Sequence, residues 1–250
     1  MSTPAVSECP AKAMILAAGE GSRLRPLTER IPKGMIPVGG KPVLQHALEW
    51  LRGYGVREVV INLCHLPDPI RDHFGDGRRW GVRIEYSPED RLLGTAGGVK
   101  QAARYFQEPF LVWYGDNLST CRLDRLWRLH RARGGLATIA LHYREDPSQS
   151  GIVAVDARDR ITRFLEKPQP HQMFGRWVNA GILVLDPAAL ETIPADRPTD
   201  FGKDIFPAWL EAGKPLYGYR MSPAEEKLVW IDTLADLGRA EGRWGEEATG

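Results

Sequence analysis

The chain has 250 residues, 43% hydrophobic and 26% charged, with 33 Lys and Arg against 32 Asp and Glu for a formal net charge of +1. That length can bury a full core as one large α/β domain or two small ones, and the near-balance of charge argues against a general nucleic-acid surface, which needs a strongly basic domain. The three cysteines, Cys9, Cys64 and Cys121, are odd in number, far apart and without CxxC spacing, so they read as small buried hydrophobes in a reducing compartment rather than a zinc site or disulfide framework.

No apolar run approaches the roughly 20 residues needed to cross a membrane. Residues 1–12 contain Pro4, Glu8 and Pro10 and no apolar signal-peptide segment, so no membrane partner and a cytoplasmic location are expected. Residues 1–10 read as a disordered lead-in. Residues 13–18 form a continuous apolar run ending at Gly19, the pattern of a parallel strand buried on both faces. A glycine- and proline-rich loop follows to Pro42. Leu44, Ala47, Leu48 and Leu51 then give helical spacing over 43–54, stopped by Gly55. Strands are predicted at 56–63 and 82–87, a helix at 96–106 and a strand at 110–114 that runs into Gly115-Asp116-Asn117. A helix at 123–133 and a strand at 137–143 continue the alternation, which predicts an α/β fold: a Rossmann-like, mainly parallel sheet flanked by helices. Beyond residue 150 the chain is denser in strands, at 152–155, 161–165 and 178–185, and closes with a helix at 201–212, a strand at 216–220 and a helix at 234–244. No linker separates the two portions, so the second is expected to pack on the sheet rather than form a free domain.

The most informative segment runs from Leu16-Ala-Ala18-Gly19-Glu-Gly21-Ser22-Arg23-Leu24-Arg25-Pro26 to Pro32-Lys33 and Lys41-Pro42. Glycines after a buried strand let backbone N–H groups close round an anion. Arg23 is placed to grip phosphate oxygens, and Lys33 adds a point charge from the far end of the loop. The dinucleotide pattern is excluded because Leu24 stands where its third glycine belongs. Gly39-Gly40-Lys41 precedes Pro42 and lacks the upstream glycine of a P-loop.

Asp116 follows an apolar strand, at the carboxyl end where open α/β sheets bind ligands. Alone it reads as a turn or cap residue; beside a triphosphate loop it reads as a hard-oxygen ligand for Mg²⁺. Asp232, in Val-Trp-Ile-Asp, is its candidate partner, with helix capping as the competing role. Leu93-Gly94-Thr95-Ala96-Gly97-Gly98, just after Glu89, opens a helix whose glycines and exposed N–H groups could read a base edge. Asp200-Phe-Gly202 reads as a helix cap. The histidines His65, His73, His130, His142 and His171 show no zinc or relay spacing. The five arginines of the 122–133 helix read as a solvated face.

These segments resemble the sugar nucleotidyltransferase family, which includes mannose-1-phosphate guanylyltransferases and glucose-1-phosphate thymidylyltransferases, over nearly the whole chain. The resemblance implies one nucleotidyltransferase domain over residues 11–250, with 11–120 mainly nucleotide-binding and 121–250 mainly sugar-phosphate-binding. It implies a nucleotide site of Leu16, Ala18, Gly19, Gly21, Ser22, Arg23, Glu89, Gly94, Thr95 and Ala96, and Mg²⁺ held by Asp116 and Asp232. Phe164-Leu-Glu166-Lys167-Pro168 resembles a motif whose lysine binds the sugar phosphate and whose glutamate contacts sugar hydroxyls; a bare Glu-Lys would otherwise be a surface ion pair. Gly151 and Asn179 match two further segments lining the sugar pocket. After Asp232 the chain departs from the family's usual Gly-Thr, with Thr233-Leu-Ala and a shortened turn.

The expected reaction joins a nucleoside triphosphate to a sugar-1-phosphate and releases pyrophosphate, with Arg23, Lys33, Asp116 and Lys167 as its working side chains. The LGTAG form points to GTP, with mannose-1-phosphate as acceptor; a dTTP- or UTP-dependent enzyme on another hexose-1-phosphate is the alternative. A chain ending at Gly250 without hexapeptide repeats is expected to lack the acetyltransferase part of bifunctional members. A non-catalytic sugar-nucleotide-binding regulator is the reading of another class, favoured only by the altered turn after Asp232. The sequence leaves homo-oligomerisation open.

Overall fold

The computed structural model describes residues 9–195 and 197–244. Most of the lead-in expected over 1–10 lies outside them; of its described residues, Pro10 is buried and Cys9 packs against the core.

β1 (Lys12–Leu16) leads into the glycine-rich loop, which carries a small ribbon of β2 (Pro37–Val38) and β3 (Lys41–Pro42). α1 (Val43–Gly53) buries Val43, Leu44, Ala47, Leu48 and Leu51, one helical face. β4 (Glu58–Leu63), α2 (Pro67–Phe74), β5 (Arg83–Pro88), α3 (Gly94–Gln101), β6 (Phe110–Tyr114) and β7 (Asn117–Ser119) follow. Then come α4 (Leu123–Arg133), β8 (Ala137–Tyr143), β9 (Gly151–Val155), β10 (Ile161–Glu166), β11 (Trp177–Leu185) and α5 (Ala188–Glu191). α6 (Phe206–Glu211), β12 (Leu216–Arg220), β13 (Leu228–Trp230) and α7 (Leu234–Trp244) complete the chain.

Several elements depart from the sequence reading, three helical segments among them. α2 was not read from the sequence; its Pro67 and Pro69 both sit in the first turn, where a missing N–H costs nothing. The helix expected over 96–106 ends at Gln101 and passes into a 3₁₀ turn at Ala103–Tyr105. The helix expected over 201–212 opens as a wider π turn, Phe201–Ile205, before α6. Pro207, which cannot donate to an α-helical ladder, stands at that junction.

Among the described residues one nine-stranded sheet runs in the order β10-β9-β11-β6-β1-β4-β5, with β8 on β11 and β12 on β8. β6, β1, β4 and β5 are mutually parallel, whereas β11 runs antiparallel to β6, β8 and β9. The expected parallel sheet is thus the half made by β6, β1, β4 and β5, and the later strands extend the same sheet. β1 has parallel neighbours on both sides, so its carboxyl end is a topological switch point, where such sheets bind ligands.

One face of the sheet buries Ile15, Ile61, Trp113 and Ile182 under α1, α2 and α4; the other buries Met14, Val112, Leu183 and Phe164 with residues of α3 and α6. A third cluster of Leu24, Ile36, Val38, Leu118, Val229 and Ile231 lies under the glycine-rich loop. Among the described residues no helix is long and apolar enough to cross a membrane.

Leu111, fully buried on β6 between Ala13 of β1 and Val184 of β11, sits in the central seam. Leu111→Ala should cost about 2–5 kcal/mol of stability, measured by urea unfolding.

Candidate functional site

The loop after β1 is shaped by its backbone. Gly21 adopts φ 63°, and a methyl group there would come within 2.9 Å of the Thr28 side chain and 3.2 Å of Lys33 Cβ. No larger residue fits without displacing Lys33. The Thr28 hydroxyl donates to the Gly21 carbonyl at 2.9 Å, drawing the loop into a cup. That cup is a cavity of about 180 Å³ lined by Leu16, Gly19, Gly21, Ser22, Arg23 and Lys33 on one side and Asp116 and Asp232 on the other. Ala18 is buried beneath it, and Ala17 lines it instead.

Asp116 and Asp232, 116 residues apart, are brought together by one ribbon. β7 pairs antiparallel with β13, matching Trp230 to Asn117, and the Ile231 N–H donates to the Asp116 carbonyl at 3.0 Å. Lys33 Nζ lies between the two carboxylates, hydrogen-bonded to Asp116 Oδ2 and, at 2.7 Å, to Asp232 Oδ1. Arg23 reaches the same Asp232 oxygen at 3.0 Å. Burial by itself would lower the Lys33 pKa, but the charges and hydrogen bonds of Asp116 and Asp232 outweigh it and hold the amine cationic. Burial likewise pushes the Asp232 carboxyl up, and Lys33, Arg23 and Lys167 together bring it below its ordinary value.

The shortened turn after Asp232 does not carry it away from the centre. Thr233 and Asp236 form a capping box that starts α7, the Thr233 N–H reaching Asp236 Oδ2 at 2.8 Å and the Asp236 N–H reaching Thr233 Oγ1 at 3.2 Å. Thr233 is the cap, so the Asp232 side chain is free to face Lys33. Asp116 Oδ1 is buried without a hydrogen-bond partner. An orphaned carboxylate oxygen beside a second carboxylate fits a hard cation such as Mg²⁺, which takes one or two carboxylates and completes its shell with phosphate oxygens and water. Among the described residues no group of three or more His, Cys, Asp or Glu could hold a metal without such help.

Asp116, Asp232 and Arg23 also form one wall of a second, larger cleft of about 460 Å³. Gly151, Glu166, Lys167 and Asn179 line its far side. A methyl group on Gly151 would lie 2.5 Å from Glu166 Oε2, and one on Gly202 would lie 2.6 Å from it, so the carboxylate occupies a slot only glycines can flank. Burial, then the charge of Asp200, raises the Glu166 pKa, with Lys167 and Lys203 opposing in part. Lys167 has φ 46°, a left-handed conformation that costs a non-glycine residue about 1 kcal/mol or more, held by its N–H on the Ser150 carbonyl at 3.1 Å. β11 slips register against β8 between Asn179 and Leu183, and Asn179 Oδ1 takes the Gly181 N–H at 2.9 Å within that bulge.

Residues that the sequence reading did not single out also line this cleft: Tyr114, Arg144, Trp230, Thr233, Asp236 and Arg239. The Thr-x-x-Asp spacing of Thr233 and Asp236 was the one available signal. Asp200 accepts the Gly202 and Lys203 N–H groups, the cap it was expected to be.

In the segment expected to read a base, two of the N–H groups are engaged within the fold. The Ala96 and Gly97 N–H groups both donate to the Thr199 carbonyl at 3.0 Å, and the Thr95 hydroxyl donates to Asp200 at 2.8 Å. Glu89 is only 6% exposed; it accepts from Asn62 Nδ2 at 2.7 Å and from the Leu93 N–H at 3.0 Å, while Asn62 Oδ1 takes the Ala17 N–H. Glu89, Gly94, Thr95 and Ala96 line neither cavity. They brace the start of α3 against the phosphate loop.

In metal-free buffer, Lys33→Met should lose about 2–3 kcal/mol, because it leaves two carboxylates facing each other without a countercharge. Millimolar Mg²⁺ should raise its melting temperature more than that of the wild type in parallel thermal scans. Glu166 carries a pKa raised above its unfolded value, so its ionisation opposes folding as pH rises through and beyond the ordinary carboxyl range. Glu166→Gln should therefore raise the melting temperature at pH 7 and leave it nearly unchanged at pH 4.

The sequence profile described as Nucleotidyl transferase matches residues 12–240. A UTP–glucose-1-phosphate uridylyltransferase of Synechocystis sp. is 36% identical over 247 residues, covering 93% of this chain and 61% of the relative. A mannose-1-phosphate guanylyltransferase of Mycobacterium tuberculosis is 36% identical over 212 residues, covering 83% and 58%. The chain thus spans about three fifths of the length of these curated relatives. Among solved structures, HddC from Yersinia pseudotuberculosis complexed with GMP-PN superposes with a TM-score of 0.77 at 24% identity, covering 94% of this chain and 100% of that one, a likeness of fold. By its matching profile, the chain belongs to the nucleotidyl transferase family.

Proposed function

We propose that this protein transfers a nucleotidyl group from a nucleoside triphosphate to a sugar-1-phosphate, giving an NDP-sugar and pyrophosphate, with Mg²⁺. The observation that carries this reading is the shared wall: a phosphate-sized cup and a sugar-sized cleft meet at Arg23, Asp116 and Asp232. A phosphate oxygen of the sugar-1-phosphate attacks the α-phosphorus. The bond from that phosphorus to the oxygen bridging to the β-phosphate breaks, and its electron pair leaves with pyrophosphate. The attacking group is already an anion, so no side-chain nucleophile or base is required, and the protein contributes positioning and charge stabilisation.

The Gly19–Ser22 backbone and Arg23 hold the triphosphate. Lys33 fixes Asp116 and Asp232 at the junction and keeps a positive charge beside the leaving phosphates. Lys167 holds the attacking phosphate, while Glu166, Gly151 and Asn179 seat the sugar ring. Asp116 and Asp232 are the residues that would hold Mg²⁺, which when bound neutralises charge on the phosphate oxygens. GTP with mannose-1-phosphate is the pair we assign first, in line with the several guanylyltransferase relatives. UTP with glucose-1-phosphate is the second reading, favoured by the Synechocystis relative.

Pyrophosphate release over a grid of NTPs and hexose-1-phosphates with Mg²⁺ tests both levels. Turnover is expected to peak with GTP and mannose-1-phosphate, and to fall at least a hundredfold in Lys33→Ala and Asp116→Ala. Nucleotide binding without turnover anywhere on the grid would replace the enzyme with a sugar-nucleotide-binding regulator; wild-type rates in the variants would displace the two residues from their roles.

A further inference from the structure

Four cations line the sugar-side cleft. Arg23 is paired with Asp232 at 3.0 Å and Arg239 with Asp236 at 2.5 Å. The other two, Arg144 and Lys167, have no ion pair among the described residues. Arg144 nonetheless has a fixed position. It follows β8 directly, and its N–H donates to the Arg176 carbonyl at 2.9 Å, which continues the pairing of β8 with β11. Its guanidinium lies over the Trp230 ring, 4.9 Å from the centroid, and Nη1 donates to Ser150 Oγ at 3.3 Å. Trp230 is held from another side by the edge of His142, with ring centroids 5.6 Å apart.

A guanidinium has five N–H donors in a planar fork. Among the described residues this one makes a single long side-chain bond, to Ser150 Oγ, and sits over the Trp230 ring. Ser150 touches both residues, its hydroxyl accepting from the Arg144 guanidinium and its carbonyl from the Lys167 backbone N–H. Trp230 stands two residues before Asp232, so the stacked guanidinium flanks the junction where the reacting phosphates must meet. A forked donor and a point charge on neighbouring residues match a phosphate monoester, which can offer two oxygens to the arginine and one to the lysine.

We infer that Arg144 binds the phosphate of the sugar-1-phosphate together with Lys167, and that Trp230 orients it for this by stacking. This assignment rests on the proposed reaction. It makes the Arg144–Trp230 pair a sensor for the acceptor and not for the nucleotide.

Steady-state kinetics of Arg144→Met, Arg144→Lys and Trp230→Leu test the inference. Loss of a charged hydrogen-bonding group should raise the KM for the sugar-1-phosphate about 10- to 100-fold in Arg144→Met, without a matching rise in the KM for the NTP. Arg144→Lys should recover only part, because a point charge lacks the fork. Trp230→Leu should fall between wild type and Arg144→Met. A sugar-phosphate KM within twofold of wild type in Arg144→Met would overturn the inference and leave the reaction standing. A parallel rise in both KM values with a lowered melting temperature would overturn it in favour of a purely structural arginine. If no pair of substrates turns over, calorimetric binding of mannose-1-phosphate and glucose-1-phosphate decides the matter. Weaker binding by Arg144→Met supports the inference, equal binding overturns it, and no binding by the wild type overturns it together with the reaction.

Discussion

One lysine ammonium between two carboxylates organises this molecule. Lys33 comes from the end of the glycine-rich loop, Asp116 from the end of a central strand and Asp232 from the ribbon that precedes the last helix. Two half-buried aspartates cannot face each other without a countercharge, since desolvation and mutual repulsion both oppose their ionisation. The lysine resolves that conflict and also fixes where the loop sits. Gly21 follows from the same constraint, because the Lys33 side chain passes where a larger residue would stand. The buried cluster of Leu24, Ile36, Leu118, Val229 and Ile231 supports the arrangement from below, joining loop and ribbon in one apolar layer.

The sugar-side cleft shows stability conceded at specific atoms. Glu166 is partly withdrawn from water, near Asp200, and the nearby lysines do not fully compensate. Lys167 holds a backbone conformation that a non-glycine residue avoids. Neither feature helps the chain fold. Both leave polar groups under-satisfied and in fixed positions, ready for a ligand rich in hydroxyl and phosphate oxygens. The rest of the sheet, with its two apolar faces fully packed, carries that local cost.

Much of this was legible in the sequence, and the limits have physical causes. The strand at 110–114, the helix at 123–133 and the strand at 137–143 were read to the residue, because long periodic or fully apolar runs state their own burial. The glycine-rich loop was legible because glycine, proline and cation spacing is local. Asp116 and Asp232 were visible as carboxylates at strand ends, but their common lysine was not, since it arises from a pairing across more than a hundred residues. The Ala96 and Gly97 N–H groups looked exposed because the carbonyl that occupies them, Thr199, lies a hundred residues on. The glycine slot around Glu166 and the stacked Arg144 are likewise products of tertiary approach, which no local pattern announces.

The ribbon of β7 and β13 has a consequence for how the protein comes into being. A chain emerging from the ribosome at about 5–20 residues per second can complete β1, β4, β5 and β6, and with them the parallel half-sheet, while β13 is still unsynthesised. During that interval the loop has its glycines and its lysine, but Asp116 has no strand beside it and Lys33 only half of its countercharge. The junction closes only when residue 232 arrives, so nascent intermediates present the glycine-rich cup without Asp232. Birth of the site is therefore a late, single event, and vectorial synthesis separates the acquisition of a fold from the acquisition of a working centre.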